Sequence, residues 1–579
     1  MAQQVDLSAL QSCDTVSALL RAIGMHSKSN FKKRRLALAI FHALLIDANA
    51  ATIEVNDNGD AGVGCTLREA ITNAENNNNG GGNGCDSGSA LPDNITFDMA
   101  SLASPTITLS NSLVFSVNNS QITIDGPDDG ALLIDGGGAN KIMQVTLTGP
   151  LTLNNLTLQN GSATFGGALD ITSNLVTLNN CTISNNHATQ RGAGIDIKGV
   201  SALFINDSTI SNNVVESTGI LTGRGGGVYA AGSSPVRISN SLITGNSARN
   251  SGGIYSKSTT YGMIPDLNIA NSVIENNVSE VYGGGIEKRF ADVFIDSSTI
   301  RNNTSVLRGG GLFTKNADVT ILNSTVAGNT ASTGQGGGAY ITYGAVVEIS
   351  GSTFSNNIAI SGGGGGLALR GSQSIISNST ISNNQANSGS GGGVTVSTSG
   401  YLNLINSTVV ANTANLGGGL VLANAGANLD ISNSIVAGNT ANLGAEIGLL
   451  SAQPITSSGV NLIGDNSNDA ASAFFGGFVP GVADITATSD GSLPTPLNSI
   501  VDLSLRNNGG DTLTHNLVGN SPAIDAADAN ICGPGNAIAT DQRSEDREQL
   551  CDIGAIEFFN DESCFVVPTK ISSLAVFCL

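Results

Sequence analysis

A seven-residue phrase close to Asn-Ser-Thr-Ile-Ser-Asn-Asn recurs eleven times between residues 154 and 440. With its first Ser position as an anchor, consecutive copies begin 25 to 33 residues apart. The anchors are Leu156, Cys181, Ser208, Ser241, Ser272, Ser298, Ser324, Ser352, Ser379, Ser407 and Ser434. A repeat of this length is typical of stacked folds in which each unit contacts only its neighbours.

Two columns of every copy are apolar, three residues before the anchor and two residues after it. Many of these residues are β-branched, and the short apolar runs are bounded by Asn and Gly, a pattern that predicts strands. Five residues after the anchor, ten of the eleven copies carry Asn, from Asn186 to Asn439. We expect these side chains to form a hydrogen-bonded ladder. Asn also tolerates the left-handed backbone that a tight corner requires.

A Gly cluster and a second short strand follow the Asn column in each copy, as in GGALDI at 166–171 and GGGLFT at 309–314. The sequence therefore predicts an all-β fold, a right-handed parallel β-helix of about eleven or more rungs, with two or three strands per rung. Leucine-rich repeats are the nearest alternative, but no copy has their spaced Leu pattern. Thr66-Leu67-Arg68-Glu69 is a capping box that opens the one convincing helix after residue 50, which we expect to cover the first rung.

Residues 32–50 have the pattern of a secretory signal peptide. Lys32, Lys33, Arg34 and Arg35 precede an apolar run at 36–46, and Ala48-Asn49-Ala50 fits a cleavage site after Ala50. Met25 is an alternative start. Cleavage would remove six basic and three acidic residues, changing the net charge from −21 to −24. We predict a secreted or cell-surface protein, a monomer with no transmembrane span in the mature chain, and the acidic charge disfavours nucleic acid.

Cysteine use agrees with export, because disulfides need an oxidising compartment. Neighbour pairing predicts three bridges, although six Cys allow fifteen connectivities. We expect Cys181, at an anchor position, to be a small buried filler. The predicted pairs are Cys65 with Cys85, Cys532 with Cys551, and Cys564 with Cys578.

Two end segments resemble a known group of proteins. Cys65-Thr66-Leu67-Arg68-Glu69-Ala70-Ile71 resembles the Cys-Ser-Leu-Arg-Glu-Ala segment that opens certain exported bacterial β-helix proteins. The C-terminal region is similar to their choice-of-anchor Q domain. This resemblance implies an exported, surface-attached β-helix and carries no catalytic residues. The matching C-terminal segments are 508–510, 512–515, 521–525, 540–543 and 551–557.

The repeats are also similar to those of chlamydial polymorphic outer membrane proteins, which combine Gly-Gly-Ala-Ile with Phe-x-x-Asn. Residues 166–169 and 354–357 match that style. Together these features divide the chain into five parts. They are an N-terminal extension with signal peptide (1–50), a cap with a short helix (51–100), the β-helix (101–447), a choice-of-anchor Q-like region (448–558) and a disulfide-closed tail (559–579).

One outward-facing column of the second strand is the candidate site. It places Asp170 beside Asp196, about 5 Å apart on adjacent rungs, and like charges that close can share a proton or a cation. No Lys or Arg stands in this column. Aromatic side chains with Glu287 among them continue it: Tyr229, Tyr255, Phe313 and Tyr340. The column is either an extended binding face or ordinary cross-strand stacking.

Two functions fit the sequence. The first is a non-catalytic adhesive or structural protein that presents an elongated face to a polysaccharide or cell-surface ligand, with no cofactor. The second is a secreted polysaccharide lyase or glycoside hydrolase with Asp170, Asp196 and Glu287 as catalytic candidates, and a lyase would use calcium. Cleft walls would have to come from the two longest repeats, between Ser208 and Ser272. We interpret His187 and His515 as structural, because neither has a visible carboxylate or nucleophile partner.

Overall fold

The strands of each repeat stack directly on those of the next, forming a right-handed parallel β-helix of about 14 turns. The computed structural model describes residues 51–559 and the strand pair 565–567 and 575–577. Short gaps fall at 63, 78–83, 90–91, 117–120, 147–148, 173–174, 200, 217–218, 220–221, 233, 259–266, 452–454 and 537. The signal peptide and most of the extra residues in the two longest repeats lie outside the described residues. The predicted fold class is confirmed.

Each central turn contains four strands, one more than the maximum that the sequence predicted. They belong, in chain order, to four parallel sheets named S1 to S4. S1 contains Ala51–Val55, Asp93–Phe97, Ile122–Asp125, Leu151–Asn154, Leu175–Asn179, Ala202–Asn206, Val236–Ser239, Leu267–Ala270, Val293–Asp296, Val319–Leu322, Val346–Ser350, Gln373–Ser377, Tyr401–Ile405, Asn428–Ser432 and Ile455–Ser458. S2 contains Thr106–Thr108, Leu133–Asp135, Thr157–Gln159, Thr182–Ser184, Thr209–Ser211, Leu242–Thr244, Val273–Glu275, Thr299–Arg301, Thr325–Ala327, Thr353–Ser355, Thr380–Ser382, Thr408–Val410, Ile435–Ala437, Leu462–Ile463 and Ile485–Thr486.

S3 is the additional sheet, and its strands lie between the Asn column and the Gly cluster, where few residues are apolar. S3 contains Ser162–Phe165, His187–Arg191, Val214–Val215, Ser247–Ala248, Val278–Ser279, Thr304–Ser305, Thr330–Ala331, Ile358–Ala359, Gln385–Ser390 and Thr413–Leu416. S4 contains Leu113–Phe115, Met143–Val145, Leu169–Thr172, Ile195–Gly199, Val228–Gly232, Ile254–Ser258, Ile286–Arg289, Leu312–Lys315, Ala339–Thr342, Leu367–Arg370, Val394–Ser397, Leu420–Leu422, Ile447–Leu449 and Phe474–Phe475.

The core is a continuous stack of aliphatic side chains inside the coil. Strand side chains alternate between faces, so the two apolar columns of every repeat point inward and are buried. Ile205, Ile238 and Ile269 lie in register on S1, as Ile183 and Ile210 do on S2. Every turn therefore buries equivalent residues against those above and below, which is what the sequence period predicted.

The Asn column forms an uninterrupted ladder inside the corner between S2 and S3. In each rung Nδ2 and the backbone N–H donate to Oδ1 of the next Asn, as from Asn303 to Asn329 at 3.0 Å for both bonds. Nδ2 also donates to a main-chain carbonyl of the preceding turn, Ile274 O for Asn303 at 2.9 Å. The predicted ladder is confirmed.

The left-handed corner is made by a different residue from the one predicted. The residue immediately before each ladder position has positive φ, as in Asn185 (57°), Asn276 (56°) and Asn302 (55°). The ladder Asn residues themselves do not. The ladder and the left-handed corner therefore belong to two neighbouring residues and not to one Asn as predicted. A side chain directed into the ladder needs the backbone to turn just before it.

The anchor column forms a second ladder between S1 and S2. From Cys181 to Ser407, each anchor N–H donates to the hydroxyl oxygen of the next anchor Ser, as Ser298 N does to Ser324 Oγ at 3.1 Å. Cys181 takes the same place and donates through its N–H to Ser208 Oγ. Its thiol is buried and forms no disulfide. Burial raises its pKa to about 11, as expected for a filler.

Both ladders end on longer polar side chains. Asn439 donates from Nδ2 to Glu446 Oε2 at 2.6 Å, so this buried carboxyl replaces the next Asn. Ser434 N donates to Asn461 Oδ1, and Asn461 in turn donates to Asp484 Oδ1. Burial raises the pKa of Glu446 well above its usual value.

The N-terminal end is covered as predicted. Helix α1, Leu67–Asn76, begins at the Thr66 capping box and packs on the first strands of S1 and S4. Cys65 and Cys85 form the predicted disulfide beside it. Two further short helices, α2 (Ala470–Ala473) and α3 (Ala529–Cys532), and a 3₁₀ turn at Leu497–Ser499 lie beyond the main stack.

The C-terminal region folds back along the outer side of S2. Gln542 donates to Thr353 Oγ1 at 2.9 Å and accepts from Thr380 Oγ1 at 2.7 Å. Arg547 donates to Asn378 Oδ1 at 3.0 Å, and Ala555 N donates to Thr408 Oγ1 at 3.0 Å. These contacts tie several turns together, whereas the anchoring role of this region stays a prediction.

The second predicted disulfide, Cys532–Cys551, is present in this region. The third, Cys564 with Cys578, lies outside the described residues. Between those positions the strands Phe565–Val567 and Ala575–Phe577 pair antiparallel. The domain boundaries proposed from the sequence stay predictions.

Breaking the Asn ladder in its middle should destabilise the coil strongly. Asn303→Ala removes buried partners of Asn277 and Asn329 and should lower the free energy of unfolding by about 3 kcal/mol. The matched control is its neighbour Asn302→Gly, which keeps the left-handed backbone and is exposed. It should change the value by less than about 0.5 kcal/mol. Urea unfolding followed by circular dichroism measures both, and equal effects would contradict the ladder's importance.

Glu446 should make stability depend on pH. Its pKa is raised in the folded protein, so folding is favoured by the protonated form and that advantage is lost as the pH rises through the raised pKa. Glu446→Gln, which retains a carbonyl acceptor for Asn439, should match the wild type near pH 4 and become progressively more stable than it as the pH rises above about 5. A difference in the free energy of unfolding between variant and wild type that is the same at every pH would show that Glu446 does not cause this dependence.

Candidate binding face

The predicted column lies on the outer side of S4. Asp170 pairs in register with Asp196, which is followed by Tyr229, Tyr255 and Glu287 on successive strands. Phe313 and Tyr340 continue the column. The alternation of strand side chains thus placed these residues on the correct sheet and face.

The aromatic rings are not open surfaces, however. Tyr229, Tyr255, Phe313 and Tyr340 are only 6, 2, 3 and 1% exposed. Tyr229 stacks on Tyr255 with ring centroids 5.3 Å apart, and Phe313 stacks on Tyr340 at 5.6 Å. A sugar ring has no free aromatic face here to stack on. The prediction that this column is a binding face is untested, but its rings would act by supporting other groups.

Those other groups are cations, which the sequence analysis missed because it stopped at one column. The next outward position on the same strands, two residues further on, carries Lys198, Lys257, Arg289, Lys315 and Arg370. Reading every second residue along each strand would have found them. Further cations come from the second residue before the first strand involved and from the residue just before the Gly cluster of three turns: Lys141, Arg191, Arg224 and Arg308.

We call these nine residues the cationic strip. The chain has eighteen Lys and Arg after residue 50, so half of them lie along one face of an otherwise acidic molecule. From Met143 to Leu367 the strip crosses nine consecutive S4 strands, a length of about 40 Å at the usual strand spacing. No Lys or Arg occurs between residues 371 and 505, so the strip ends well before the C-terminal turns.

The buried rings hold the cations in place. The guanidinium of Arg191 lies 4.9 Å from the ring centroid of Tyr229, and that of Arg224 lies 5.3 Å from Tyr255. Arg308 lies 5.2 Å from Tyr340. In each pair the Arg immediately precedes the Gly cluster of its turn and lies over the ring of the next turn. A guanidinium stacked on a ring keeps its N–H edge available for a ligand.

The carboxylates of Asp170 and Asp196, the acidic pair, are both hydrogen-bonded to cations of the strip. Asp170 accepts from Lys141 Nζ at 2.5 Å and from Lys198 Nζ at 2.9 Å, and Asp196 accepts from Arg191 Nε at 3.0 Å. Burial opposes ionisation of Asp170, but Lys141 and Lys198 outweigh it and hold its pKa below the usual value. Burial raises the pKa of Asp196, and its cations only partly offset this.

This donor set does not suit calcium, because three cations surround the two carboxylates and leave them no free oxygen positions for a metal. Among the described residues, no group of three or more His, Cys, Asp or Glu side chains lies close enough to hold a metal ion. Calcium elsewhere in the protein stays untested.

Glu287 lies apart from the acidic pair. It is three strands from Asp196 along S4, roughly 14 Å. A pair of glycosidase carboxyls must be within about 10 Å of each other. Glu287 is completely buried and bonded to Arg289 Nε at 2.5 Å, and burial raises its pKa. The three catalytic candidates therefore do not form one site.

The two histidines occupy different settings. His515 is buried, its Nδ1 lying 2.7 Å from Asp502 O and its Nε2 2.7 Å from Ser382 Oγ. Burial lowers its pKa to about 4, so it is neutral at physiological pH and joins the C-terminal region to S2. His187 does have a carboxylate nearby, contrary to the sequence analysis, since its Nε2 lies 3.5 Å from Glu216.

Comparison with known proteins gives the family. Residues 140–326 and 284–474 match the right-handed β-helix region family, a span that includes more than half of the chain and the whole cationic strip. The protein belongs to the right-handed β-helix family. No curated protein matches the chain. Across the described part of the structure, no helix has the length and apolarity needed to span a bilayer.

Removing one carboxylate from the acidic pair should destabilise the fold. Asp196→Ala leaves Arg191 without its buried partner and removes one of the two carboxylates bonded to Lys198. It should lower the free energy of unfolding by about 2 kcal/mol, less than for a fully buried pair because both cations are partly exposed. Glu348→Ala, an exposed carboxylate on the outer side of S1, is the matched control and should change it by less than about 0.5 kcal/mol. Thermal unfolding of both variants checks this, and equal melting points would contradict a structural role for the pair.

Proposed function

We propose that this protein is an exported, non-catalytic β-helix protein that works as an adhesive or structural element, binding its ligand along the outer face of S4. The observation that carries the proposal is the cationic strip. It is long, spans nine strands and is stabilised by a buried aromatic stack. Such a face suits a linear polymer better than a small molecule, because successive turns repeat the same contact.

The carboxylates of this face support a binding role more than a catalytic one. Asp170 and Asp196 are each held by two cations, and Glu287 is buried beneath Arg289. A general acid or nucleophile must reach the scissile bond. Carboxyls enclosed by their own ion pairs would first have to be released.

Export is supported by the predicted leader and by the two disulfides, which form in oxidising compartments. The acidic remainder of the surface favours solubility. Together these features suit a protein that acts outside the cytoplasm. Attachment to a cell surface through the C-terminal region is proposed only from its resemblance to the choice-of-anchor Q domain.

Fractionation with N-terminal sequencing tests export. We expect the protein in the medium or envelope fraction with Ala51 as its first residue, and intact disulfides. A Lys32→Glu, Lys33→Glu, Arg34→Glu, Arg35→Glu variant should remain in the cytoplasm, because the basic segment ahead of the apolar run is lost. Wild-type protein confined to the cytoplasm would reject the proposal.

Turnover is the second test. Purified protein incubated with anionic and neutral polysaccharides, with and without calcium, should release no new chain ends while it binds. Multiple-turnover cleavage would instead support the lyase or glycoside hydrolase alternative. In that case Asp170→Ala with Asp196→Ala would establish whether the acidic pair carries the activity.

A further inference from the structure

One place in the cationic strip has the features of a specific pocket. A cavity of about 130 Å³ opens on the outer face of S4, where the strands Ile286–Arg289, Leu312–Lys315 and Leu367–Arg370 bring cations to its wall. Four cations line it together with Tyr343: Arg289, Arg308, Lys315 and Arg370. A volume of this size suits a single charged group and not a whole polymer unit.

The charges at this cavity are uncompensated. Arg289 is paired with Glu287, but Arg308, Lys315 and Arg370 form no ion pair with any described residue. Arg370 donates to Thr398 Oγ1, at 3.2 Å, which carries no charge. Three unpaired cations repel one another unless an anion lies between them, so the cavity is best satisfied by an anionic ligand.

Tyr343 is the second, independent indication of a built site. Its backbone is left-handed, with φ of 65°, which is unfavourable for a bulky side chain. The turns on either side have Asn316 and Gly371 at the equivalent position, residues that adopt this conformation readily. The exposed Tyr343 ring lies 5.6 Å from Lys315 Nζ and 5.1 Å from the Arg370 guanidinium. A strained residue here is explained by its contact with both cations.

The arrangement favours a particular kind of anion. A carboxylate is planar and is satisfied by one bidentate guanidinium. Here the unpaired donors come from two turns, Arg308 and Lys315 from one and Arg370 from two turns further on, which matches a group whose oxygens point in several directions. Sulfate and phosphate esters have this tetrahedral arrangement.

The surroundings favour a glycan over a nucleic acid. Binding of single strands relies on open aromatic faces for base stacking, and the rings of the S4 column are covered. Duplex DNA carries about one charge per 1.7 Å of axis, so a molecule with a net charge of −21 would repel it strongly outside the strip. A glycan with widely spaced esters meets less of this repulsion.

We propose that the cavity formed by Arg308, Lys315, Arg370 and Tyr343 is a subsite for a sulfate or phosphate ester group on a linear polysaccharide. This inference rests on the proposed function, since it names the chemical class of ligand that the S4 face takes. The remaining cations of the strip would contact further esters one or more turns away.

Binding measured by biolayer interferometry tests the ligand class. Immobilised dextran sulfate and phosphorylated dextran are the two ester probes, polygalacturonate is the carboxylate probe, and dextran and single-stranded DNA are the remaining arms. We expect tight binding to at least one ester polymer, weaker binding to polygalacturonate and DNA, and none to dextran. The ester polymer with the higher affinity shows whether the bound group is a sulfate or a phosphate. Equal or tighter binding to polygalacturonate or to DNA would overturn the inference.

Variants with a matched charge change test the location. Arg308→Gln with Lys315→Gln and Arg370→Gln should weaken binding about 100-fold and reduce the slope of log Kd against log salt by about three. The control is Arg237→Gln with Arg301→Gln and Arg506→Gln, three exposed Arg residues outside the strip. It removes the same charge and should change the affinity less than about 3-fold. Equal losses of affinity in the two variants would show that binding depends on the overall charge of the protein and not on this pocket.

Tyr343→Asn separates binding from folding. Asn suits the left-handed turn, so this variant should be at least as stable as the wild type, yet bind the ester polymer about 5-fold more weakly. Unchanged affinity would overturn the role of Tyr343. If the protein is exported and cleaves nothing but binds neither ester polymer, only the pocket proposal is refuted. If it stays in the cytoplasm or cleaves a polysaccharide with turnover, the proposed function is refuted.

Discussion

The hydrogen bonds between equivalent residues of successive turns are the interaction on which everything else in this protein depends. They fix each strand against the same strand one turn away, so any side chain repeated in the sequence becomes a column in space. The aliphatic core, the Asn and Ser ladders and the stack on S4 all follow from that register. Position in the repeat, more than distance along the chain, decides which residues meet.

Most of the fold could be predicted because these columns repeat in the sequence. Eleven copies made the apolar positions and the Asn column visible, and the capping box marked α1. S3 was missed since its strands are two to six residues long and rich in Ser, Thr and Ala, with no apolar alternation to detect. The left-handed corner was assigned to the wrong neighbour because Asn occupies both positions in many copies.

The candidate site was less predictable, for a physical reason. Alternation of side chains located Tyr255 and Glu287 on the outer side of one sheet, but it cannot tell whether an outward side chain is covered. The covering groups, such as Arg224 and Arg308, precede the Gly cluster of the preceding turn and lie outside the strand whose alternation makes the prediction. Lys257 and Lys315 were within reach of the same alternation, had it been followed two residues further.

The return path of the C-terminal region has a mechanical consequence. The C-terminal region hydrogen-bonds to several turns of the last third of the coil. These turns are therefore joined by the C-terminal region along S2 as well as by the ladders between them. The bonds run from Gln542, Arg547 and Ala555 to Thr353, Asn378 and Thr408. A pull applied near the C-terminus would be shared among several turns in parallel and would not peel them away one at a time. The turns that carry Arg191 and Lys257 have no such brace among the described residues, and under tension we would expect the rod to yield there first.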